Sequence, residues 1–337
     1  MASSAEIQPG GPGQIHHPAQ ITAMTVMNGY FLGVDGGGTK THAVISDADC
    51  HLIAEGLSGG SNPVRLSVDE ASRNIEEAVA EACRHAGLRL GEITAGCAAL
   101  AGISQPIHFQ AMKESLDRLG IPNLRLVIDA DAALTGALDG QPGVVVIAGT
   151  GSIALGVNSA GQTARSGGWG PTLSDEGSAY DIARRALRAV VASFDGRSGK
   201  TVLTERLLER LGVKTPAELP SVVYSEESES VEIASLADIV TEAARDGDEV
   251  AREILESAGR ELGRLATSVV ERLGMRSCGF RVAFVGTVFK SAPPVLAAFR
   301  DAVVRYAPGA VVAPPLLSPA LGAAKLAVES VVTPDRP

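Results

Sequence analysis

Two glycine-rich turns and a pair of strand-end aspartates carry most of the chemistry readable from this sequence. The first turn, Asp35-Gly-Gly-Gly-Thr-Lys-Thr41, has Gly37, Gly38, Thr39 and Lys40 beyond its leading carboxylate. Consecutive backbone N–H groups with no Cβ beside them admit phosphate oxygens closely. A carboxylate where Asp35 stands suits a magnesium ion held through water. The second turn, Ala148-Gly-Thr-Gly-Ser152, repeats this logic with Gly149, Thr150 and Gly151. Two such turns opposed across a cleft grip one triphosphate, and closure around it excludes water. No GxxxxGK[ST] P-loop occurs, and the first glycines lead into a strand instead of the helix that a dinucleotide fingerprint requires.

Asp129 and Asp131 follow the apolar run Leu124 to Ile128. A carboxylate just past a strand reaches the crevice where open sheets bind ligands, so one of the two is a candidate general base; the other reading is that both cap the helix from Ala132 to Leu138. Trp169, the only tryptophan, lies in Gly167-Gly-Trp-Gly170, where its face can stack on the apolar side of a sugar ring or an acetyl group, or else join the core. Asp175, six residues on, reads as an N-cap, as a partner for sugar hydroxyls, or as both.

Positioning these residues requires elements that the pattern supplies. Tyr30 to Asp35 and His42 to Asp47 are short and apolar around the first turn, giving a strand–turn–strand hairpin; Gly143 to Ala148 and Ile153 to Val157 give a second, with Asn158-Ser-Ala-Gly as the next turn. One unit used twice is implied. A helix is expected over Ser67 to Arg84, with Ser67 and Glu70 as a capping box and Gly87 as its stop. Thr94 to Gly102 and Leu124 to Ile128 read as strands separated by a helix around Gln110 to Leu119. Further helices are expected over Glu176 to Ser193, Ser235 to Asp246, Glu249 to Leu273 and Pro319 to Val331, with a strand at Arg281 to Val285. The fold class is therefore α/β, with mixed sheets faced by helices and present in two copies.

The 337 residues are 45% hydrophobic, enough for the cores of two domains, and the net charge of -10 argues against a nucleic-acid groove or a polybasic membrane contact. Cys50, Cys83, Cys97 and Cys278 are scattered without a CxxC pair, which points to buried reduced thiols in a cytoplasmic protein. No apolar run reaches the roughly 18 to 20 residues of a membrane span. Residues 1–29 are rich in Gly, Pro, Gln and His and read as a flexible leader in which Met24 or Met27 is a candidate start and His16 and His17 an unstructured pair.

Taken in order, nine segments resemble the N-acetylglucosamine kinase group of the BadF/BadG/BcrA/BcrD-type ATPase family, within the actin and sugar kinase superfamily. They are Gly33-Val-Asp-Gly-Gly-Gly-Thr39, Gly60-Ser-Asn62, Ile128-Asp-Ala, Ile147-Ala-Gly-Thr-Gly-Ser152, Gly167-Gly-Trp-Gly170, Asp175-Glu-Gly-Ser-Ala-Tyr180, Glu242-Ala-Ala-Arg-Asp-Gly-Asp248, Val285-Gly-Thr-Val-Phe-Lys-Ser291 and Leu317-Ser-Pro-Ala-Leu-Gly322. The resemblance covers Phe31 to about Val328. It implies two actin-like (ribonuclease H-like) domains, 30–128 and 129–337, around a nucleotide cleft, with the last helix near 319–331 packing back at the hinge.

The resemblance further implies ATP-dependent phosphorylation of the 6-hydroxyl of N-acetylglucosamine or a close amino sugar, with ATP and Mg2+ as cofactors. By the same resemblance Thr39 and Thr150 contact the ATP phosphates, Asp35 places the metal, and Ala244 and Gly286 lie near the nucleoside. Asn62, Gly168, Trp169 and Asp175 bind the sugar, and Asp129, favoured over Asp131, is the base. Ile128 stands where bacterial members often carry Asn. The alternatives are a glucosamine or N-acetylmuramate kinase, a non-kinase activator ATPase of the BadF type, and a sugar-sensing regulator. The expected partners are a small amino sugar and a homodimer mate, with no nucleic acid and no membrane.

Overall fold

The computed structural model describes residues 29–224 and 230–332. The leader before Gly29, with Met24, Met27 and the histidine pair, lies outside the described residues. Two five-stranded sheets share one plan. The first contains β1 (Tyr30–Gly36), β2 (Thr41–Ser46), β3 (Leu52–Ser58), β4 (Ile93–Leu100) and β5 (Leu124–Ile128) in the order β3-β2-β1-β4-β5. The second contains β6 (Gly143–Ala148), β7 (Ser152–Val157), β8 (Thr163–Gly167), β9 (Phe280–Val285) and β10 (Ala310–Ala313) in the order β10-β9-β6-β7-β8. Read from the hairpin side, the orders 3-2-1-4-5 and 8-7-6-9-10 correspond strand for strand. β1 and β6 are both central, each antiparallel to the next strand and parallel to the one after the crossover, β4 or β9. Both sheets are mixed, as expected of one unit used twice.

Chain contacts divide the molecule into two compact units. One holds the described chain up to Leu126 together with that from Ala324 on, and the other holds Val127 to Ala323.

In the first unit, α1 (Val68–Ala86) covers β2 and β3. Ser67 caps it by accepting from the Glu70 N–H at 3.2 Å, and Gly87 ends it at φ 69°. A helix stops readily where glycine takes the left-handed conformation. α2 (Pro106–Asp117) starts four residues earlier than its apolar spacing suggested, with Pro106 at its first turn.

In the second unit, α3 (Asp129–Leu138) follows β5 directly, and α4 (Ala179–Phe194), α5 (Leu203–Leu211), α6 (Leu219–Val223), α7 (Ser230–Ser235), α8 (Ala237–Arg245) and α9 (Glu249–Arg272) follow the second hairpin. α10 (Thr287–Ser291) and α11 (Pro293–Tyr306) come after β9, and α12 (Pro319–Val332), which starts in this unit and is counted with the first from Ala324 on, ends the described chain. α9 is the spine of this unit, burying Ile254, Leu255, Leu262, Val269 and Val270. Its Gly259 approaches α11 so closely that a Cβ there would stand 2.3 Å from the Val295 carbonyl.

Three expectations are corrected. The helix expected from Glu176 begins at Ala179, because the preceding DEGS turn holds Asp175 and Gly177 at positive φ. The helix expected over Ser235 to Asp246 is interrupted at Leu236, which separates α7 from α8. Strands β3, β8 and β10 and helices α5, α6, α10 and α11 lie in stretches where no element was assigned.

Candidate active site

In the first unit the register Gly36↔Thr41 closes the β1–β2 hairpin and leaves Gly37 to Lys40 as its loop. The Gly37 N–H donates to the Lys40 carbonyl at 2.9 Å. Among the described residues, no protein acceptor takes the N–H groups of Gly38 and Thr39, and both residues are exposed. Exposed, unpaired N–H groups of this kind are open to water or to an anion. Asp35, half-buried, sits one residue before the end of β1, beside His42 of β2 and Ala99 of β4.

The segment Gly59 to Asn62 is laced onto this hairpin. Ser61 donates its N–H to the Gly37 carbonyl at 2.8 Å, and Thr41 donates its hydroxyl toward the Gly59 carbonyl and Ser61 Oγ. Side chains at two glycines would break the contact. A Cβ on Gly60 would lie 2.4 Å from the Gly38 carbonyl oxygen, and one on Gly36 2.2 Å from Ser61 Oγ. Asn62 is thereby fixed to the hairpin. Its Oδ1 accepts from the Val64 N–H at 2.9 Å, which leaves Nδ2 as the group available to a ligand.

In the second unit the register Ala148↔Ser152 leaves Gly149 to Gly151 as the loop. α4 grips this loop by its carbonyls, since Ala179 N–H donates to Gly149 O at 2.9 Å and Tyr180 N–H to Thr150 O at 3.4 Å. Among the described residues, the N–H groups of Thr150 and Gly151 have no protein acceptor. Both hairpins therefore present free amides, although one loop has four residues and the other three.

Ser152 joins the second loop to the other candidate residues. Its N–H donates to Asp175 Oδ1 at 3.1 Å, its hydroxyl to the Glu176 carbonyl at 2.8 Å, and its carbonyl accepts from the Gly168 N–H at 2.9 Å. Asp175 is buried and held at φ 67°, so it is no N-cap. Ser178 caps α4 instead, accepting from the Asp181 N–H at 3.2 Å. Asp181, itself buried, accepts from the Gly177 N–H at 3.0 Å and pairs with Arg184 and Arg185, and Arg185 reaches Ser257 on α9. Burial pushes the Asp175 carboxyl up; the Ser152 bond opposes this and the charges of Glu176 and Asp181 reinforce it.

Trp169 is not in the core: it is 65% exposed, with the Arg165 guanidinium 4.5 Å over one face of its ring. Gly168 beside it has φ 71°, and a Cβ there would meet Ile153 at 2.8 Å.

Asp129 is the first residue of α3, and the residue before it, Ile128, supplies no side-chain cap. Asp129 Oδ1 accepts from the Ala130 N–H at 2.9 Å. The carboxyl is reached by solvent, yet the protein around it removes enough hydration to push it above the ordinary aspartate range, against the pull of the Ala130 N–H and its own. α3 is held by close backbone contact with the start of α12. Leu317 N–H donates to Gly136 O at 2.8 Å, and a Cβ on Gly322 would lie 2.1 Å from the Ala132 carbonyl.

Thr150 also lines a cavity of about 550 Å³ with Ile182, Asp238, Thr241, Thr287 and Lys290. Ala244 lies on α8, one turn beyond Thr241, and Gly286 immediately precedes Thr287, so both adjoin the cavity without lining it. Gly286 has φ 115°, and a Cβ there would stand 2.0 Å from the Ala148 carbonyl oxygen, so only glycine fits against the end of β6. Sequence reading missed Asp238, Thr241, Thr287, Lys290 and Ser152; for Ser152 the signal was present, as it closes the glycine turn.

A family model for the BadF/BadG/BcrA/BcrD ATPase family matches residues 32–327. The chain is 38% identical over 249 residues to an N-acetylmuramic acid/N-acetylglucosamine kinase of Clostridium acetobutylicum, covering 74% of this chain and 81% of that protein. It is 32% identical over 312 residues to an N-acetyl-D-glucosamine kinase of Dictyostelium discoideum, covering 89% and 98%. A crystal structure from Chromobacterium violaceum, described as a candidate N-acetylglucosamine kinase, superposes with a TM-score of 0.69 at 28% identity over 88% of this chain and 98% of that one. With the two repeated mixed sheets, these likenesses give the fold as that of the actin-like sugar kinases, and the chain belongs to the BadF/BadG/BcrA/BcrD ATPase family.

Proposed function

We propose that this protein is an ATP-dependent amino sugar kinase that phosphorylates the 6-hydroxyl of N-acetylglucosamine or a close relative. The observation that carries the reading is Ser152, whose three backbone and side-chain bonds tie an amide-lined loop suited to phosphate to Gly168, next to the exposed Trp169, and to Asp175. An enzyme that hydrolysed ATP alone would have no use for an aromatic face and a buried carboxylate on its phosphate loop. The kinases named above, similar over most of their length, support the same acceptor class.

In this reading the free amides at Gly38, Thr39, Thr150 and Gly151 hold phosphate oxygens, with Gly37, Lys40 and Gly149 completing the two loops. The cavity beside Thr150 takes the nucleoside, bordered by Ala244 and Gly286. Asn62 Nδ2, the Gly168 backbone, Trp169 and Asp175 orient the sugar. The Asp129 carboxylate accepts the proton of the 6-hydroxyl as that oxygen bonds to the γ-phosphorus and the bond from that phosphorus to the bridging oxygen breaks, leaving ADP, in a reaction where positioning and charge neutralisation supply most of the acceleration.

Asp35 suits magnesium by donor chemistry, as a hard carboxylate oxygen beside the first amide nest. Among the described residues no three His, Cys, Asp or Glu side chains form a metal cluster, which fits an ion brought by nucleotide phosphates more than an all-protein cage. Bound there, it would neutralise phosphate charge.

A coupled assay across N-acetylglucosamine, glucosamine and N-acetylmuramate tests the acceptor. kcat/KM should be highest for an N-acetylated sugar; equal and negligible values for all three would remove the sugar from the reading.

A further inference from the structure

Arg65 lies against the first glycine loop, and nothing among the described residues pairs with its guanidinium. A Cβ built on Gly38 would lie 3.4 Å from Arg65 Nη1, 3.5 Å from its Cδ and 3.7 Å from its Cζ, so the side chain runs across the loop at the residue whose N–H is free. Its backbone is fixed as well. Arg65 and Leu66 both donate their N–H groups to the Asn62 carbonyl, at 3.0 and 3.1 Å, and Val64 donates to Asn62 Oδ1, so Asn62 organises the turn that carries Arg65. That turn is in its own right sewn to the hairpin through Ser61 and Gly60. Arginines elsewhere, such as Arg184, Arg206, Arg252 and Arg260, are engaged by carboxylates. A guanidinium left unpaired among the described residues, over N–H groups that are also unpaired, gives this loop positive charge from two sources.

We infer that Arg65 is a further catalytic residue, contacting a phosphate oxygen held by the Gly37–Thr39 loop and neutralising charge that builds during phosphoryl transfer. The inference rests on the kinase reading above. Arginine suits the task because its planar fork bonds two phosphate oxygens and never loses its charge. A group acting on transition-state charge lowers kcat when removed and leaves acceptor binding alone. A surface arginine with no such role alters neither.

The test compares wild type, Arg65→Met and Arg65→Lys in two measurements: steady-state phosphorylation of N-acetylglucosamine, and calorimetric binding of a non-hydrolysable ATP analogue with magnesium. Arg65→Met should lose about 100-fold in kcat with sugar KM within about twofold, bind the analogue at least several-fold more weakly, and Arg65→Lys should recover part of both. Met with kcat and analogue affinity within threefold of wild type overturns the inference. Should wild type phosphorylate no amino sugar while Arg65→Met still weakens analogue binding, the acceptor assignment fails and the phosphate contact stands.

Discussion

The Ser152 N–H donates to the buried carboxylate of Asp175 at 3.1 Å, and this bond ties the second phosphate-type loop to the residue assigned to the sugar. Asp175 adopts φ 67°, a conformation that non-glycine residues rarely take and that persists only where surroundings enforce it. The enforcing contacts are Ser152 on one side and the Gly177–Asp181–Arg185 chain on the other.

Asp175→Ala should therefore disturb both substrates. It removes the proposed sugar ligand and orphans the buried Ser152 N–H, a loss of about 1–3 kcal/mol. Sugar KM is expected to rise at least tenfold and ATP KM by a smaller factor. Values within twofold of wild type for both would separate Asp175 from the acceptor and from the loop.

Asp129→Asn should keep ATP binding and lose about 100-fold or more in kcat, the usual scale of general-base catalysis. The proposed base works ionised, and the hydration removed by the protein around it holds its carboxyl above an ordinary aspartate's 3.8, so the acid limb of the wild-type kcat profile should lie above that value and vanish in the variant. Stability carries the opposite sign. A raised folded pKa means that the stabilising protonated form is present below the unfolded pKa and lost as pH rises through the folded one, so at neutral pH the charged Asp129 works against folding. The variant's Tm at pH 7 should equal or exceed wild type; a Tm several degrees lower would contradict the loss of hydration inferred at Asp129.

The two hairpins were legible because their signals are local: β-branched runs flank a glycine turn, and chain sequence alone sets both. Ser67 and Gly87 were legible for the same reason, as caps act within one helical turn. Of the two readings of Asp175, the N-cap falls, and nothing local could have told it from a buried left-handed residue; Ser152, 23 positions away, decides it. Trp169 could not be placed either, since its exposure depends on β7 and on Arg165 across the turn. Arg65 belongs to no motif. Its relation to Gly38 exists only because Gly60, lacking a Cβ, lets two backbones meet.

That close approach makes a further expectation. Gly60→Ala would push a methyl group to 2.4 Å from the Gly38 carbonyl oxygen, so the first loop must shift. ATP affinity should fall at least tenfold by calorimetry while the far-ultraviolet circular dichroism spectrum stays that of wild type. Unchanged affinity would mean that the loop does not hold phosphate.

Trp169→Ala separates binding from folding. At 65% exposure the side chain contributes little to the core, so Tm should move by no more than the small change typical of surface sites, within about 0.5 kcal/mol. Sugar KM should rise about tenfold, and Trp169→Phe should restore most of it. A rise in ATP KM alone would assign the ring to the nucleotide.

The central claim is that the γ-phosphoryl group of ATP goes to the 6-hydroxyl of an amino sugar. Phosphorus–proton correlation NMR of a reaction with ATP, magnesium and N-acetylglucosamine tests it most directly. A phosphomonoester coupled to the two C6 protons is the expected product; inorganic phosphate alone, formed at the same rate with and without the sugar, would contradict it.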